Sequence, residues 1–412
     1  MGAAGGGRRA EPPAGLPLVI HVDEAAQGER YWLGIEAEAS QVRVGLLSTN
    51  QTPNRGADTP FTRSGFYSVG LYKWPHPFAP QLAISQDDAS KIVQVAKQFL
   101  AQVEREKGVE IDGRIDRIQA TTIVSYPTAV TPSSEAFPSM AQPVETRTNL
   151  LSGALRDAFP DVTQIGSGIR SRYSAQVEYL HGAGQDIRPN DELLYITISR
   201  NLNLDLLTQG MAKKGVYAPG VRHSQVDLEG LRGLGRMFIG ADYDLPKVGK
   251  CPVCHKQFCL SQIASGQAMA EFLAADQSAG PRPPRTGEGR VVDAGGEAAG
   301  GVDGFSVNQA AYMGDAASLR IVKQAGIALG LAIHNSIFMI DPPNLIVIGG
   351  AVPMGSGGDD ALPIAVRPSI DGTIEQVLNY LGHAGAVRVT RSRFAGFTGL
   401  LGTCFLPLTG GA

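Results

Sequence analysis

Charged side chains are scarce in this chain of 412 residues, at 18% against about 25% in an average soluble protein. Lys and Arg number 36 and Asp and Glu 39, so the formal net charge is only -3. The sequence thus lacks the basic surplus with which proteins bind nucleic acid directly. It also lacks an apolar run of about 20 residues, because the longest, residues 326–340, contains His334 and Asn335. We therefore expect no membrane partner, a buried helix at this run and a cytoplasmic location.

Cysteine is also rare, since the chain has four, too few for a disulfide framework at this size. Three of them, Cys251, Cys254 and Cys259, lie within nine residues, and their C-x2-C-x4-C spacing is typical of thiolates that bind a metal ion. Cys404 lies in an apolar stretch and is expected in the core. Glycine, in contrast, is abundant at 51 residues, which raises the question of whether some glycines form phosphate-binding loops.

Hydrophobic periodicity predicts alternating helices and strands, as in an α/β protein. Alternation near residues 31–46 predicts a hairpin, and helical spacing near residues 92–103 predicts an amphipathic helix. Residues 50–86 are predicted to form a long loop, and the Gly-Ser-Gly sequence at 166–168 a turn. A long helix from about residue 316 to 340 should lead into a strand at residues 345–348.

Several stretches resemble the ROK family, the repressor and sugar-kinase group of the actin-like ATPase superfamily. Residues 314–351, which contain DPPNLIVIGGA, are similar to that family's helix, turn and adenosine-side strand. Residues 251–266 are similar to its zinc segment, with one residue added between the first two cysteines. With weaker matches, the resemblance runs in order from about residue 30 to the end. It implies a two-domain fold with a nucleotide and a sugar in the cleft, and commonly a homodimer. Gly349 and Gly350 would lie on the nucleotide side.

The sequence departs from the family at both phosphate loops, where backbone N–H groups must approach oxygen atoms without an intervening Cβ. The family's D-x-G-G-T is replaced by EAEAS at residues 36–40, so Glu38 would place a negative charge beside phosphate. The family's G-T-G-x-G-G-G is replaced by SRNLNLD at residues 199–205, where Leu204 and Asp205 would crowd or repel a polyphosphate. We therefore do not expect ATP as a ligand.

The residues of catalysis and sugar binding are replaced as well. The family's general base, an Asp that precedes the Glu matched by Glu178, aligns with Arg170, and a guanidinium cannot accept a proton at neutral pH. The family's E-x-G-H becomes residues 220–223, in which only His223 is kept, and the Glu of its C-L-E motif becomes Ser261. We therefore assign no catalytic residue, and the resemblance indicates a degenerate, non-catalytic member.

The metal ligands are predicted to be His223, Cys251, Cys254 and Cys259, a donor set typical of a closed structural zinc site. Which histidine is the fourth ligand is open, because 27 residues separate His223 from Cys251 and include an inserted helix or hairpin. His255, next to Cys254, is the rival fourth ligand.

The predicted architecture is α/β, a two-domain actin-like ATPase (sugar kinase) fold with a zinc-binding loop. Its predicted segments are a flexible tail at 1–28, an N-terminal α/β domain at 29–135, a C-terminal α/β domain at 136–395 with the zinc loop at 223–259 and a mobile insertion at 279–304, and a C-terminal helix at 396–412.

Three functions remain open at this point. The first is a zinc-stabilised binding, assembly or regulatory protein without phosphotransfer, which would act as a homodimer or with a protein partner. The second is a diverged, glucokinase-like sugar kinase that uses a relocated carboxylate such as Glu36, Glu38 or Asp205. The third is a sugar-sensing regulator without its own DNA-binding domain, because fewer than about 30 residues precede the first predicted strand and a winged helix needs more.

Overall fold

The computed structural model describes residues 16–18, 30–37, 41–48, 68–73, 85–108, 110–111, 113–122, 144–188, 190–199, 201–208, 211–212, 221–251, 254–278, 304–338, 342–350, 352–353, 369–394 and 398–405. The predicted insertion therefore lies outside the described residues, except for Gly304, which begins a helix. The predicted boundary between residues 135 and 136 and most of the predicted tail also lie outside them.

The described strands form two sheets. The first sheet has the order β1-β4-β3-β2-β5-β6 and the second has the order β11-β10-β7-β8-β9. The strands are β1 (Leu16–Leu18), β2 (Tyr31–Ala37), β3 (Gln41–Ser48), β4 (Ser68–Lys73), β5 (Ile115–Thr122), β6 (Gln164–Ile169), β7 (Glu192–Ile198), β8 (Leu202–Thr208), β9 (Met211–Ala212), β10 (Leu345–Gly349) and β11 (Arg388–Arg391).

Ten α-helices lie within the described residues. They are α1 (Gln86–Lys107), α2 (Val144–Ala158), α3 (Arg170–His181), α4 (Leu228–Phe238), α5 (Ser261–Ala264), α6 (Gly266–Ser278), α7 (Gly304–Tyr312), α8 (Ala316–Ile333), α9 (Ile370–Leu378) and α10 (Thr398–Phe405).

The first sheet confirms the predicted hairpin, since β2 pairs with β3 antiparallel, and corrects three other expectations. β1 lies within the predicted tail and pairs with β4, which itself lies within the predicted loop 50–86. The Gly-Ser-Gly sequence at 166–168 belongs to β6, which pairs parallel with β5, and is not a turn. These strands are short or glycine-rich, so they carry little of the alternation that identifies a strand.

Helices α1 and α2 pack against the first sheet. The hydroxyl of Ser85 caps α1 by accepting a hydrogen bond from the backbone N–H of Asp88 at 3.1 Å, and the Asp88 carboxylate accepts one from the Ser85 N–H at 2.9 Å. Leu151 and Leu155 of α2 and Ile165 of β6 belong to the same buried cluster as the apolar side chains of β2 and β3. The segment from α2 to β6 therefore packs with the first sheet, although the sequence places it in the C-terminal domain.

Helices α3 and α10 join the two sheets. Ala175 and Tyr179 of α3 pack with Leu193 and Val347 of the second sheet, whereas Val177 faces a separate cluster formed by α10 and β3. The helix predicted at 396–412 is confirmed as α10 over residues 398–405 and lies against β2 and β3 of the first sheet.

The carboxylate of Glu178 on α3 is fully buried at this joint. It accepts hydrogen bonds from the backbone N–H groups of Ala183 at 3.0 Å and Phe394 at 3.4 Å, and from the Ser392 hydroxyl. The Ser392 oxygen lies 2.6 Å from that of Thr398, the first residue of α10. These contacts attach α3 to the segment between β11 and α10.

The buried helix predicted from the longest apolar run is confirmed. The segment Ala316–Ile337 is the one described helical segment long and apolar enough to cross a membrane, and 72% of its most apolar 18-residue window is buried within the protein. It contains α8, whose side chains belong to the core of the second sheet.

Glycines allow α8 and α9 to pack closely. A Cβ added at Gly326 would lie 2.5 Å from the Cβ of Thr373, and one added at Gly330 would lie 2.6 Å from a methyl group of Val377. Both pairs advance by four residues, so the two helices run in the same direction along one seam.

The first prediction concerns this seam. Gly330→Ala should destabilise the protein by about 1–3 kcal/mol, because the new methyl group overlaps Val377 in a packed core. Gly233→Ala in α4 is the matched control, since no atom lies within 4 Å of its added Cβ, and it should stabilise by up to about 1 kcal/mol. Denaturant midpoints measure both, and equal stabilisation of the two variants would contradict the seam.

Candidate metal centre and phosphate-loop positions

His223 reaches the cysteines because its segment pairs with the segment around Cys259. The N–H of Val226 donates to the carbonyl of Phe258 at 2.9 Å, and that of Leu260 donates to the carbonyl of Ser224 at 3.0 Å. These bonds form a short antiparallel ladder. This pairing brings His223 close to the cysteine segment, although 27 residues separate it from Cys251 along the chain.

The insertion between these ends is a helix, as one of the two sequence alternatives predicted. Asp227 caps α4 by accepting hydrogen bonds from the N–H groups of Glu229 and Gly230, both at 3.1 Å. Leu231 and Leu234 are buried in the core of the second sheet. The added residues thus pack outside the cysteine cluster and leave its ladder intact.

Cys251 and Cys254 lie at a tight turn. The N–H of Cys251 donates to the carbonyl of Lys256 and the N–H of His255 donates to the carbonyl of Cys251, both at 2.9 Å. His255 and Phe258 have φ angles of 56° and 58°, a conformation that non-glycine residues seldom adopt. The turn directs both thiols to one side.

The four predicted ligands come together. One donor atom from each of His223, Cys251, Cys254 and Cys259 lies within 4.8 Å of the others, and His223 Nδ1 is 3.7 Å from Cys251 Sγ. A tetrahedral ion with Zn–S bonds of about 2.3 Å needs ligands at about these separations. The cluster can therefore hold a metal ion.

The Cys259 thiol is affected by its neighbours in the cluster. The hydrogen bond with Cys251, followed by burial, raises the pKa of the Cys259 thiol. A bound divalent ion reverses this effect, because a coordinating thiol is deprotonated. His255, the rival ligand, is exposed and does not belong to the cluster. The structure therefore favours His223.

At the first phosphate-loop position, Glu36 is the last but one residue of β2 and is fully buried. Its carboxylate lies 3.7 Å from the guanidinium of Arg43 on β3. Beside it, the hydroxyl oxygens of Thr121 and Thr403 are 3.1 Å apart, so α10 covers this end of the sheet. Glu38 and the rest of this loop lie outside the described residues.

The second phosphate-loop position is a tight hairpin between β7 and β8. The N–H of Ser199 donates to the carbonyl of Asn201 at 3.0 Å, and Leu202 and Leu204 are buried in the core. The Asn203 side chain accepts a hydrogen bond from Arg222 at 2.8 Å. These side chains are thus used within the protein. Arg200 lies outside the described residues.

Arg222 is the residue that sequence reasoning missed. It directly precedes His223, burial lowers the pKa of its guanidinium, and the nearby charge of Asp205 offsets part of that effect. Its Nε is buried without a hydrogen-bond partner. A signal existed, because the arginine replaces the glycine of the family's E-x-G-H, but its contact with Asn203 could not be read from the sequence.

Gly349 and Gly350 have packing roles in the structure. A Cβ at Gly349 would lie 2.0 Å from the hydroxyl oxygen of Tyr195, and one at Gly350, whose φ is +100°, would lie 2.4 Å from the carbonyl of Ile198. Close packing of β10 against β7 therefore accounts for both glycines, and a nucleotide contact stays a prediction.

Arg170 is the first residue of α3, and its side chain lies outside the described part of the structure. Glu178, two turns later, is enclosed by its own hydrogen bonds, and burial raises the pKa of its carboxyl group. The structure therefore assigns Glu178 to the joint between the sheets.

Two α/β sheets joined through α3 and α10, with a Cys3His loop on the second, define a mixed α/β protein of the actin-like sugar-kinase class. A profile of the ROK family matches residues 151–408, well over half of the chain. The chain therefore belongs to the ROK family. A comparison with curated protein sequences gives no match.

Solved structures with this fold include kinases and a regulator. A ROK hexokinase from Thermus thermophilus is 17% identical, with 91% of this chain and 97% of that chain covered and a TM-score of 0.53. A ROK glucokinase from Streptomyces griseus, solved with glucose and AMPPNP, is 15% identical, with 92% and 100% covered and a TM-score of 0.56. A ROK transcriptional regulator, a homologue of the E. coli MLC protein, is 17% identical, with 91% and 77% covered and a TM-score of 0.57. At these identities the likeness shows the fold alone.

The second prediction separates the two candidate histidines. His223→Asn should lower metal content well below one ion per chain, because losing a direct ligand costs more than the roughly 10–100-fold typical of an outer partner. His255→Asn is the matched control and should keep the metal, since its ring lies outside the cluster. Elemental analysis of dialysed protein measures both, and the reverse pattern would make His255 the ligand.

Proposed function

We propose that this protein is a ROK-family, sugar-kinase-like protein that has lost phosphotransfer and acts as a zinc-stabilised binding, assembly or regulatory protein. In this proposal, zinc is structural, the protein is a homodimer, and the remaining work of the cleft is to bind a ligand or a partner.

The observation that carries the proposal is the hairpin between β7 and β8. A phosphate cradle needs backbone N–H groups with no side chain in front of them. Here Leu202 and Leu204 are core residues, and Asn203 is held by Arg222. Glycines at these positions would leave a cavity in the core, so the hairpin serves packing.

A second support is the absence of glycine and the buried acid at the first loop. Glu36 is fully buried and close to Arg43, so its charge is balanced from within the sheet. A base must reach the sugar hydroxyl at hydrogen-bond distance, and Arg170 at the aligned position carries a permanent positive charge. Residues that phosphotransfer would need are thus replaced both at the first phosphate loop and at the position of the base.

Zinc fits the retained Cys3His cluster because three thiolates and one imidazole are its usual closed set of ligands. When bound, it would supply folding energy, of order 10 kcal/mol in small zinc domains. The ligands lie where a short backbone ladder joins two segments that are distant along the chain, so this energy would hold the loop in place.

The third prediction tests the loss of phosphotransfer. Purified zinc-loaded protein, incubated with Mg-ATP and a panel of hexoses, should release ADP no faster with sugar than without it. Light scattering on the same preparation measures the dimer. A sugar-dependent rate near the median enzyme turnover of about 10 per second would overturn the proposal.

A matched set of variants identifies the alternative if a rate is found. The diverged-kinase hypothesis requires a relocated carboxylate, so Glu36→Gln, Glu38→Gln or Asp205→Asn should abolish that rate. Binding is tested separately by thermal shift, since a ligand present at 100 times its Kd stabilises by about 2.7 kcal/mol. A sugar that shifts Tm without turnover would support the binding role.

A further inference from the structure

Two histidines meet where α8 and α9 end. His334 follows α8 directly, and His383 closes the turn after α9. The Nδ1 atom of His334 lies 2.8 Å from the Nε2 atom of His383, and both side chains are half-buried. Neither belongs to the metal cluster or to the phosphate-loop positions.

The pair lies at the end of the glycine seam. Gly326 faces Thr373 and Gly330 faces Val377, so the next step of four residues along α8 is His334. The turn at Asn379–His383 after α9 is kinked at Gly382, whose φ is 93°, and α8 ends in a π-helical turn at His334–Phe338. Such turns are rare and occur often at functional sites. The histidine contact thus closes a seam that is packed by van der Waals contact along the rest of its length.

The geometry identifies the contact as an N–H···N hydrogen bond. The ring centroids are 5.0 Å apart, close to the largest value that the nitrogen separation and the two ring radii allow, so the nitrogens lie almost on the line between the ring centres. The lone pairs therefore point at each other, whereas a chelated metal would need them to converge on a third point. One nitrogen must carry a proton and the other must not.

The proton count sets the strength of this bond. The neutral pair shares one proton, and a first added proton gives a charge-assisted bond, which is stronger. A second added proton removes the last acceptor and places two N–H groups and two positive charges face to face. The bond then becomes a repulsion.

We propose that His334 and His383 form a proton-sharing clasp that holds the ends of α8 and α9 together near neutral pH and opens when both rings are protonated. Opening separates the turn at Asn379–His383 from α8. Tyr380 on this turn is 58% exposed, and its ring packs edge-on against that of Phe238 of α4, with the ring centroids 6.1 Å apart. The clasp therefore controls the shape of the surface at Tyr380.

The surroundings set the direction of the pH dependence. Burial, followed by the charge of His334, lowers the pKa of His383. The folded protein thus binds the second proton less readily than the unfolded chain, in which histidine titrates near a pKa of about 6.5. The bond is therefore present above that pH and is lost as the pH falls through the lowered pKa of His383, when the second proton binds.

Several other charged groups on α8, α9 and α4 have their described contacts with residues other than the two histidines. Lys323 of α8 donates to the carbonyl of Phe238, and Arg320 lies 3.9 Å from Asp242. On α9, Asp371 pairs with Arg391. The remaining ionisable groups on α9, its following turn and the end of α4 are Glu375, Tyr380 and Arg236.

The fourth prediction tests the clasp in the full chain from about pH 8 to about pH 5. In wild-type protein, NMR of the imidazole nitrogens should show that His383 takes up a proton, the second protonation step of the pair, only below the pH at which an unfolded histidine does. Amide exchange at residues 379–383 should rise at least about tenfold on the second step, because the seam then opens. His383→Gln, whose amide can still hydrogen-bond but does not titrate, should lack this rise.

A double-mutant cycle supplies the control. Tm is measured for wild type, His334→Asn, His383→Gln and the double variant, and the non-additive part should be present at about pH 7.5 and vanish at about pH 5. All four proteins keep the Cys3His cluster, so acid loss of metal affects them equally, and elemental analysis verifies this. The proposal would be overturned if the Tm values of the four proteins changed in parallel with pH. It would also be overturned if the two histidines titrated independently at the ordinary pKa. Since the wild-type titration needs no variant, a variant that fails to fold leaves the test intact.

Discussion

The arrangement of the two sheets depends on one buried carboxylate, that of Glu178. An ionised carboxylate loses several kcal/mol of hydration when it is buried, and burial accordingly raises the pKa of Glu178. Ala183 donates from just beyond the end of α3 itself, but the donors from Ser392 and Phe394 offset this cost only when α3 and the segment after β11 lie together. The same serine contacts Thr398, so one polar chain fixes α3 and α10, the two helices that lie between the sheets.

At the positions where the family carries phosphate-binding glycines, polar side chains likewise have partners within the protein. Asn203 accepts from Arg222, and Glu36 lies near Arg43. Leu202 and Leu204 meanwhile contribute apolar area to the core. Paired side chains thus stabilise the fold at positions where the family's kinases have glycines that leave the backbone N–H groups accessible.

Much of the second sheet could be predicted from the sequence, because buried strands and long helices have strong periodic patterns. The strand at residues 345–348, the helix from residue 316 and the cysteine cluster followed from local pattern or spacing. β1, β4 and β6 did not, because their identity depends on the neighbour with which they pair. The ladder that brings His223, rather than His255, to the cysteines likewise joins distant segments.

Contacts that depend on three-dimensional proximity were also beyond the sequence. The hydrogen bond between His334 and His383 joins residues 49 positions apart, and the bond between Arg222 and Asn203 joins residues 19 apart. Each side chain is unremarkable in its own segment. Their chemistry arises only when two helices or two loops meet.

The metal cluster and the β7–β8 hairpin are joined by hydrogen bonds in the structure. The carbonyl of Arg222 accepts hydrogen bonds from the N–H and hydroxyl of Ser261 at 2.9 and 3.0 Å, while its guanidinium holds Asn203. The N–H of Gly266 donates to the carbonyl of Ser199 at 2.8 Å. An ion bound by His223 and the cysteines would link the segments on which this network depends. Such a link closes a long loop and so reduces the conformational entropy of the unfolded chain. The ion would then stabilise the hairpin whether or not a phosphate ever binds beside it.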